Sequence, residues 1–434
     1  MSDITIQPFA KPFTATITPP GSKSLTNRAL VIAALSDGAC TVSNVLFADD
    51  TLVMIEGLRK FGYQLDVDEA ARTVIVHGRG GEVPSSTAEL FCGNSGTTIR
   101  FLTALSTLGR GTYTLDGVDR MRQRPIGALT GLLQNLGARV GHSPEAEQYP
   151  PVQVQADGLP GGMIHYGAEA SSQYLSAILM VAPYARNEVC VDLEPNQTSW
   201  PYIPMTMQLM DHFGVTPELI RDPKTGRPQQ IIVPRGKYRA TDYAVEPDAS
   251  SASYFLAAAA VREGAKVTIE GLGKQSLQGD VGFADVMHKM GADLVFGRDF
   301  ITVRGTDRFE GIDANMADIP DAAMTVAVAA LFAEGETTLR GLHTWRVKET
   351  DRLSALSTEL KKLGAKTTVD GDTLAIEPPE NFRPADIDTY DDHRMAMSFA
   401  VAGTKTGGVT IRNRECVNKT YPTFFEDLER LRTS

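Results

Sequence analysis

The chain is 434 residues long, of which 42% are hydrophobic and 22% are charged. This composition is typical of a folded globular protein and excludes disordered, collagen-like and coiled-coil chains. The net charge is −11, because 53 acidic residues outnumber 42 basic ones. The surface as a whole therefore does not attract nucleic acid or anionic lipid, and any anion-binding site must be local.

The cysteines and the hydrophobic runs predict a cytoplasmic protein without a membrane segment. Cysteines occur at positions 40, 92, 190 and 416, too far apart for CxxC pairs, which argues against a disulfide framework and against a zinc site. The first residues, MSDITIQPFAKPF, lack the pattern of a secretory signal. The longest nearly apolar run, residues 322–333, is shorter than the ~18 residues that a spanning helix requires.

One supersecondary pattern recurs along the whole chain. Six strand-like segments each follow a helix-breaking residue, and these breakers are Gly38, Gly111, Asn187, Gly264, Gly335 and Gly407. They are 73, 76, 77, 71 and 72 residues apart. An apolar helical stretch precedes each of them, so the first half of every repeat predicts a helix followed by a strand. The alternative, chance recurrence of helix-glycine-strand patterns, does not explain such even spacing.

The second half of each repeat predicts an amphipathic helix that ends at a glycine, followed by two strands. The glycines are Gly62, Gly137, Gly214, Gly291 and Gly364. Glycine is the residue that best adopts the left-handed conformation just beyond a helix. The sixth helix, FFEDLERLRTS, is followed by no strand, whereas the N-terminal DITIQPF is strand-like. We therefore expect the N-terminus to complete the last repeat.

These repeats predict an α/β protein made of two similar domains, each with three βαβαββ-type units. One domain is discontinuous and consists of residues 1–20 and 242–434. The other, residues 21–241, is inserted into it. The first helix of each unit opens on small or polar residues, in SKSLTN, GNSGTT, SSQY, SSAS, PDAA and DDHR. Helix N-termini present free amides and partial positive charge, so three of them side by side would attract anions despite the net charge.

The first of these openings, residues 21–28, contains two cations. Its sequence GSKSLTNR resembles a phosphate-binding loop but lacks the earlier glycine of a Walker A motif. Lys23 and Arg28 would flank the start of a helix and could contact phosphate or carboxylate. A solvated basic patch is the alternative interpretation of this segment.

The next two candidate segments lie in the same half of the chain. In GNSGTTIR, Gly93 and Gly96 would let backbone amides approach a ligand, although a purely structural turn explains them equally well. The segment DRMRQRP, residues 119–125, supplies three arginines, one of which is a candidate anion clamp. Further along, Ser171, Ser172, Gln173, Ser199 and Tyr202 offer hydroxyl and amide donors that suit a polyol or a phosphate, with helix capping as the alternative for the first two serines.

The C-terminal half adds three polar segments. Asp321 and Arg394 lie at predicted helix openings, residues 346–352 read RVKETDR, and Lys419 follows near the C-terminus. Alternating charges of this kind are also typical of a solvated helix face. His393 is a possible general base, but we favour a structural role because no second histidine or cysteine stands at ligand spacing. No metal site is predicted.

Taken together, the motifs GSKSLTNRAL, GNSGTTIR, RMRQRPIG, SSQY, IPDAA, WRVKETDRL, DDHRMAM and NKTYP resemble the 5-enolpyruvylshikimate-3-phosphate synthases, in order, from Pro20 to about Leu428. The resemblance implies two domains with parallel helices surrounded by sheets, a pseudo-sixfold repeat and an active site in the interdomain cleft. It also implies transfer of the enolpyruvyl group of phosphoenolpyruvate to the 5-hydroxyl of shikimate 3-phosphate, with release of phosphate. Neither a metal nor an organic cofactor is implied, and a monomer is expected.

Matching motifs carry the family's binding residues over to this chain. Those expected to hold shikimate 3-phosphate are Lys23, Ser24, Arg28, Ser171, Ser172, Gln173, Ser199, Asp321, Thr344 and Lys348. Those expected to surround phosphoenolpyruvate are Lys23, Asn94, Gly96, Arg124, Gln173, Arg352, Arg394 and Lys419. Asp321 is assigned the proton of the 5-hydroxyl, and Glu349 with Lys23 the proton transfers at carbon, through a tetrahedral adduct. The arginines would stabilise the developing phosphate charge.

Three positions depart from the commonest family pattern. Phe101 stands where many relatives have proline, Trp200 where lysine is frequent, and Thr344 where an asparagine usually contacts the substrate. Among the residues expected to hold shikimate 3-phosphate, Thr344 is the one that differs in type from the usual family residue. Gly96 is retained, so we expect inhibition by glyphosate.

Three other functions are alternatives to this one. A UDP-N-acetylglucosamine enolpyruvyl transferase performs the same chemistry but uses a loop cysteine, and the region 110–125 contains none. A non-catalytic repeat protein that binds anions would not be expected to retain all of Lys23, Asp321 and Glu349. An RNA-end-modifying relative on a similar repeated fold would need a nucleotide-reactive histidine and a basic face, which this sequence lacks.

Overall fold

The chain divides into two compact units in the computed structural model, which describes residues 2–143, 146–167, 171–195 and 197–433. The inserted unit comprises residues 21–245, and the discontinuous unit comprises residues 1–20 and 246–434. The second crossing therefore falls at 245/246, whereas the repeats placed it at 241/242. The reason is a short strand, Tyr243–Ala244, which pairs with residues 42 and 43 of the inserted unit.

The helices and strands alternate as the repeat pattern requires. Residues 1–20 contain β1 (Ile4–Ile6) and β2 (Thr14–Ile17). The inserted unit contains α1 (Lys23–Leu35), β3 (Ala39–Ser43), α2 (Asp49–Lys60), β4 (Gln64–Asp68), β5 (Thr73–His77), β6 (Thr87–Phe91), α3 (Gly96–Ser106), β7 (Arg110–Asp116), α4 (Gly127–Asn135), β8 (Arg139–His142), β9 (Val152–Asp157), β10 (Gly162–Tyr166), α5 (Gln173–Val181), β11 (Val189–Leu193), α6 (Tyr202–His212), β12 (Glu218–Arg221), β13 (Pro228–Val233) and β14 (Tyr243–Ala244).

The rest of the discontinuous unit follows the same order. It contains α7 (Ala249–Ala260), β15 (Lys266–Glu270), α8 (Phe283–Lys289), β16 (Asp293–Phe296), β17 (Phe300–Arg304), β18 (Asp313–Asn315), α9 (Ala323–Ala329), β19 (Thr337–Arg340), α10 (Arg352–Lys362), β20 (Lys366–Asp370), β21 (Thr373–Glu377), β22 (Ala385–Ile387), α11 (His393–Lys405), β23 (Val409–Ile411) and α12 (Phe424–Arg432). Short 3-10 helices span Met121–Gln123, Ala182–Tyr184, Gly279–Gly282, Ala330–Phe332, His343–Val347 and Arg414–Lys419.

The sheets of the described residues share one topology. In the inserted unit their strand orders are β14-β3-β5-β4, β6-β7-β9-β8 and β10-β11-β13-β12. In the discontinuous unit they are β2-β15-β17-β16, β18-β19-β21-β20 and β22-β23-β1. In each sheet the first two strands are parallel and the remaining pairings are antiparallel. The predicted βαβαββ repeat is confirmed.

The N-terminus completes the last sheet, as the sequence predicts. Strand β1 pairs antiparallel with β23, with Ile4 opposite Ile411 and Ile6 opposite Val409. It occupies the place that a strand after the sixth helix would have taken. Because β2 then pairs with β15, the first 20 residues supply strands to two sheets of the discontinuous unit.

Helices α7, α9 and α11 form the centre of the discontinuous unit. Every residue of α7, ASSASYFLAAAA, is buried, and its small side chains permit close helix packing. The hydroxyl of Thr325 on α9 lies 3.1 Å from that of Ser253 on α7 and 3.4 Å from that of Ser398 on α11. These contacts fall within the first two turns of each helix, so the three helix starts lie side by side.

The outer helices end as predicted. The glycines at 62, 137, 214, 291 and 364 have φ values of 89°, 87°, 86°, 116° and 103°, which side-chain-bearing residues rarely adopt.

Among the described residues, none of the helices combines the length and the apolar character required to span a membrane.

Candidate functional site

Lys23 forms an ion pair at the start of two helices. It is the first residue of α1, and its Nζ lies 3.3 Å from Oδ2 of Asp50, the second residue of α2. Both side chains are largely buried. The sequence identified Lys23 but missed Asp50, whose only signal is its place in the acidic opening of α2. The pair holds the lysine in place at the start of its helix, where positive potential is highest.

Arg28 is a buried cation in the second turn of α1, with only 1% of its surface exposed. Its Nε donates to Thr206 Oγ1 at 2.7 Å, Nη2 to Ser176 Oγ at 2.9 Å, and Nη1 to the Ser24 carbonyl at 2.9 Å. No carboxylate of the described residues pairs with it. Burial lowers the pKa of Arg28 to about 10. The guanidinium is therefore still charged at neutral pH, and an anionic ligand would supply the missing counter-charge.

Gly96 and Arg124 meet at the start of α3. Nη1 of Arg124 donates to the backbone and side-chain oxygens of Asn94, at 2.9 and 3.2 Å. A Cβ atom at Gly96 would lie only 2.6 Å from Nη2 of Arg124. Ser95 caps the helix by accepting from the amide of Thr98. The predicted residues Asn94, Gly96 and Arg124 are thus brought together, with the arginine lying over the helix start.

Gln173, the first residue of α5, is held by α3. Its Oε1 accepts from Nη1 of Arg100 at 2.5 Å, and its Nε2 donates to Thr97 Oγ1 at 3.3 Å. A guanidinium can only donate, so the orientation of the amide is determined. Arg100 also stacks on Tyr174, with its Cζ 5.1 Å from the ring centroid. The role of Arg100 was not predicted from the sequence, although this residue ends the GNSGTTIR motif.

The predicted serines lie at or near buried helix starts. Ser171 Oγ accepts from the amide of Gln173 at 3.3 Å, and Ser172 is the N-cap residue of α5. Ser199 is buried, and its φ of 53° is unusual for a residue other than glycine. Residues held in this backbone region cluster at active sites and ligand-binding sites.

In the discontinuous unit, the carboxylate of Asp321 collects three cations just before α9. Its Oδ1 lies 2.9 Å from Nη1 of Arg352 and 3.4 Å from Nζ of Lys348, and its Oδ2 lies 3.0 Å from Nη2 of Arg394. Nearby, Trp345 Nε1 donates to the carbonyl of Pro320 at 2.7 Å and fixes the turn before the aspartate. Asp321 and three other predicted residues are therefore brought together.

Arg352, the first residue of α10, is surrounded by acidic groups. Besides Asp321, Nε lies 2.7 Å from Oδ2 of Asp392 and Nη2 lies 2.9 Å from Oε2 of Glu349. Burial alone would lower the pKa of Arg352, but the three carboxylates more than offset it and raise the pKa above its ordinary value. Asp392 was not among the residues predicted from the sequence; it also caps α11 by accepting from the amide of Arg394.

The other candidates of this unit are buried beside the network. Arg394 Nη1 donates to the hydroxyl of Tyr254 at 3.3 Å, and burial raises the pKa of that hydroxyl to about 12. Lys419 ends a 3-10 helix and is largely buried. His393 is fully buried, with Nδ1 3.6 Å from Oδ1 of Asp392. The hydroxyl of Thr344 is buried and has no hydrogen-bond partner among the described residues.

The predicted residues therefore form two sets, one in each unit. The first set lies on neighbouring elements of the inserted unit and consists of Lys23, Arg28, Asn94, Gly96, Arg124 and Gln173. The second set forms one network in the discontinuous unit and consists of Asp321, Lys348, Glu349, Arg352 and Arg394. A shared interdomain site stays a prediction. No group of three or more His, Cys, Asp or Glu side chains suited to a metal ion occurs in the part of the chain that the structure describes.

Comparison with known proteins identifies the family. Residues 9–428 match the family described as EPSP synthase (3-phosphoshikimate 1-carboxyvinyltransferase). A 3-phosphoshikimate 1-carboxyvinyltransferase of Sulfurovum sp. is 46% identical over 433 residues and covers 99% of both chains. The chloroplastic enzyme of Solanum lycopersicum is 45% identical, covering 99% of this chain and 84% of its own.

The solved structures agree with the sequence comparison. EPSP synthase from Acinetobacter baumannii superposes with a TM-score of 0.81 at 29% identity, covering 99% of this chain and 98% of its own. The enolpyruvyl transferase NikO from Streptomyces tendae shares the fold, with a TM-score of 0.77 at 19% identity over 99% of this chain and 97% of its own. The chain therefore belongs to the EPSP synthase family.

Proposed function

We propose that this protein transfers the enolpyruvyl group of phosphoenolpyruvate to the 5-hydroxyl of shikimate 3-phosphate and releases phosphate. The observation that carries the proposal is the pair of buried cation sets in a chain whose net charge is −11. Both substrates are multiply charged anions, and one charge pair at ~4 Å contributes about 4 kcal/mol at an effective dielectric constant of 20, before desolvation. Each unit supplies one of these sets, and we assign both to the same reaction.

Shikimate 3-phosphate is assigned to Arg28 and the hydroxyl groups of the inserted unit. Arg28 is a buried guanidinium without a paired carboxylate among the described residues, and it still has N–H groups to donate. Ser171, Ser172, Gln173 and Ser199 would supply donors and acceptors to the sugar-like ring and the phosphate. Lys23 and Ser24 at the start of α1 complete this assignment, and Lys348, Asp321 and Thr344 contribute from the discontinuous unit.

Phosphoenolpyruvate is assigned to Arg124, Asn94 and Gly96 at the start of α3, and to Lys23 and Gln173 nearby. From the discontinuous unit we assign Arg352, Arg394 and Lys419. Nη2 of Arg394 is engaged by Asp321 in the free protein. An incoming phosphate or carboxylate would therefore compete with Asp321 for Arg394. Binding of phosphoenolpyruvate would then be linked to release of the Asp321 carboxylate from this arginine.

The chemistry needs one group that takes a proton from the acceptor hydroxyl and another that moves a proton at carbon. We assign the hydroxyl proton to Asp321, so that the acceptor oxygen can attack C2 of phosphoenolpyruvate as its methylene is protonated. The product is a tetrahedral adduct. Loss of phosphate from C2 and of a proton from the methyl group then restores the carbon–carbon double bond and gives the enol ether product. Glu349 and Lys23 are assigned these carbon proton transfers, and the arginines stabilise the charge on the departing phosphate.

The function is tested by measuring phosphate release when the protein is mixed with both substrates, compared with each substrate alone. Release that requires both substrates supports the proposal, and release from phosphoenolpyruvate alone contradicts it. A parallel reaction with UDP-N-acetylglucosamine as the acceptor tests the alternative transferase, which we expect to be inactive because residues 110–125 contain no cysteine. An unchanged phosphate concentration with either acceptor would indicate a non-catalytic anion-binding protein.

A further inference from the structure

Phe101 provides an aromatic surface for the buried guanidinium of Arg28. The Cζ atom of Arg28 lies 5.1 Å from the centroid of the Phe101 ring, and 5.8 Å from that of Tyr202. Phe101 itself is fully buried in the second turn of α3. A cation at this distance from a ring is attracted by the negative potential of its face, and more strongly where water is excluded.

Among the residues that the structure describes, the polar contacts of Arg28 are all with neutral groups. They are the hydroxyls of Thr206 and Ser176 and the carbonyl of Ser24. These three bonds use three of the five N–H donors of the guanidinium. A carboxylate in the place of Phe101 would occupy further donors and cancel the charge. An aromatic ring stabilises the buried cation and leaves two N–H groups and the charge for a ligand.

We infer that Phe101 is a positioning residue for the binding of shikimate 3-phosphate, which it promotes by holding the guanidinium of Arg28 charged and oriented. The inference rests on the proposed function, because it takes Arg28 as a contact of that substrate. It assigns to Phe101 no contact with the substrate itself. The effect should therefore be seen in the affinity for shikimate 3-phosphate and depend on the charge at position 28.

The position of Phe101 on α3 extends the inference. Thr97 and Phe101 are four residues apart and so lie on one face of the helix. Thr97 accepts from Gln173 on α5, while Phe101 contacts Arg28 on α1. One face of α3 thus contacts both Gln173 and Arg28, two residues on different helices that we assign to the binding of shikimate 3-phosphate.

The test compares Phe101→Leu with the unsubstituted protein by calorimetric titration with shikimate 3-phosphate. Leucine keeps a buried apolar side chain but removes the ring. We expect the Kd to rise about three- to tenfold, while the KM for phosphoenolpyruvate at saturating shikimate 3-phosphate changes less than twofold. The matched control is Phe61→Leu, because Phe61 is equally buried in the same unit and its ring packs on Tyr113 rather than on a cation. This control should bind shikimate 3-phosphate as the unsubstituted protein does.

A double-mutant cycle distinguishes positioning from simple packing. In an Arg28→Gln background the cation is absent, so Phe101→Leu should change the Kd less than twofold. An equal loss of affinity in both backgrounds would overturn the inference, because the effect would then come from packing. Should Phe101→Leu unfold in thermal melts, Phe101→Met, whose flexible side chain fills the same space, carries the same expectations.

The two proposals fail in different ways. If the unsubstituted protein does not bind shikimate 3-phosphate, the proposed function falls, and this inference falls with it. If the unsubstituted protein binds and Phe101→Leu binds equally tightly, only the inference on Phe101 is overturned.

Discussion

Gly96 lies so close to Arg124 that a Cβ atom on the glycine would stand 2.6 Å from Nη2 of the arginine. The arginine cannot retreat freely, because its Nη1 is bonded to both oxygens of Asn94. Gly96→Ala should therefore displace the guanidinium that we assign to phosphoenolpyruvate. We expect the KM for phosphoenolpyruvate to rise about tenfold, the effect of losing about 1.4 kcal/mol of binding energy, and inhibition by glyphosate to weaken in parallel.

The control for this change is Gly131→Ala in α4, because a Cβ at Gly131 meets nothing within 4 Å. In steady-state kinetics with glyphosate titrations, this variant should keep the original KM for phosphoenolpyruvate and the original inhibition constant. If Gly96→Ala keeps the original KM and the original inhibition constant, Arg124 can move without consequence. Gly96 would then not belong to the phosphoenolpyruvate site.

Asp321 is expected to matter for turnover more than for binding. It is engaged by Lys348, Arg352 and Arg394, so Asp321→Asn frees positive charge for the anionic substrates while removing the proton acceptor. We expect kcat to fall by about 10²- to 10⁴-fold, with KM values unchanged or lower. The matched control is Asp388→Asn, at an exposed aspartate paired with Lys362.

Rapid-quench measurement of a single turnover checks this assignment directly. If Asp321→Asn forms product at the normal rate, a group other than Asp321 must be the proton acceptor. A rise in KM without a change in kcat would instead give Asp321 a binding role only.

Asp392 is expected to stabilise the discontinuous unit. Its carboxylate is fully buried, pairs with Arg352 and caps α11. Removing one partner of a buried ion pair leaves the other charge uncompensated, so Asp392→Ala should lower the free energy of unfolding by about 3–5 kcal/mol. Asp392→Asn keeps a good N-cap residue and should be milder by about 1 kcal/mol.

Urea unfolding of both variants, followed by circular dichroism, measures the difference. Asp386→Asn serves as the control, since this aspartate is exposed and paired with Arg412 on the surface. Equal urea midpoints for Asp392→Ala and the control would mean that Glu349 and Asp321 alone are enough to compensate the buried charge of Arg352.

The fold was predictable because its signals are local. All six repeats carry their own helix breaker and five carry a glycine after the second helix; at Gly62 the absence of a side chain permits the left-handed φ of 89°. Pairing of the N-terminal strand could be inferred only by counting, because the sixth unit lacked a strand that DITIQPF could supply. The short strand at Tyr243–Ala244 was not predicted, since two residues are too few to show a period.

The site was predictable in part, for a related reason. Lys23, Gly96 and Arg394 lie at helix openings that can be read from composition. Asp50 and Asp392 act through partners far away in the chain, as Asp392 does with Arg352 across 40 residues. No local pattern in a single sequence indicates which acidic residue will face which arginine.

The charge state of Arg28 gives a prediction in pH. Burial lowers the pKa of Arg28 to about 10, and only the protonated form attracts an anion. Affinity for shikimate 3-phosphate should therefore be constant from about pH 7 to about pH 9 and fall as the pH rises through about 10. The sign for stability is opposite, because the folded protein releases this proton more readily than the unfolded chain, so this group adds stability as the pH rises above 10.

Arg28→Lys tests this explanation. An ordinary lysine titrates ~2 pH units below an ordinary arginine, and burial disfavours its charged form as well. The loss of affinity should therefore begin at a lower pH in Arg28→Lys than in the unsubstituted protein. Calorimetric titration with shikimate 3-phosphate at a series of pH values measures both curves, with Arg346→Lys as the exposed control. Parallel curves for Arg28→Lys and the unsubstituted protein would mean that the charge at position 28 does not govern binding of this substrate.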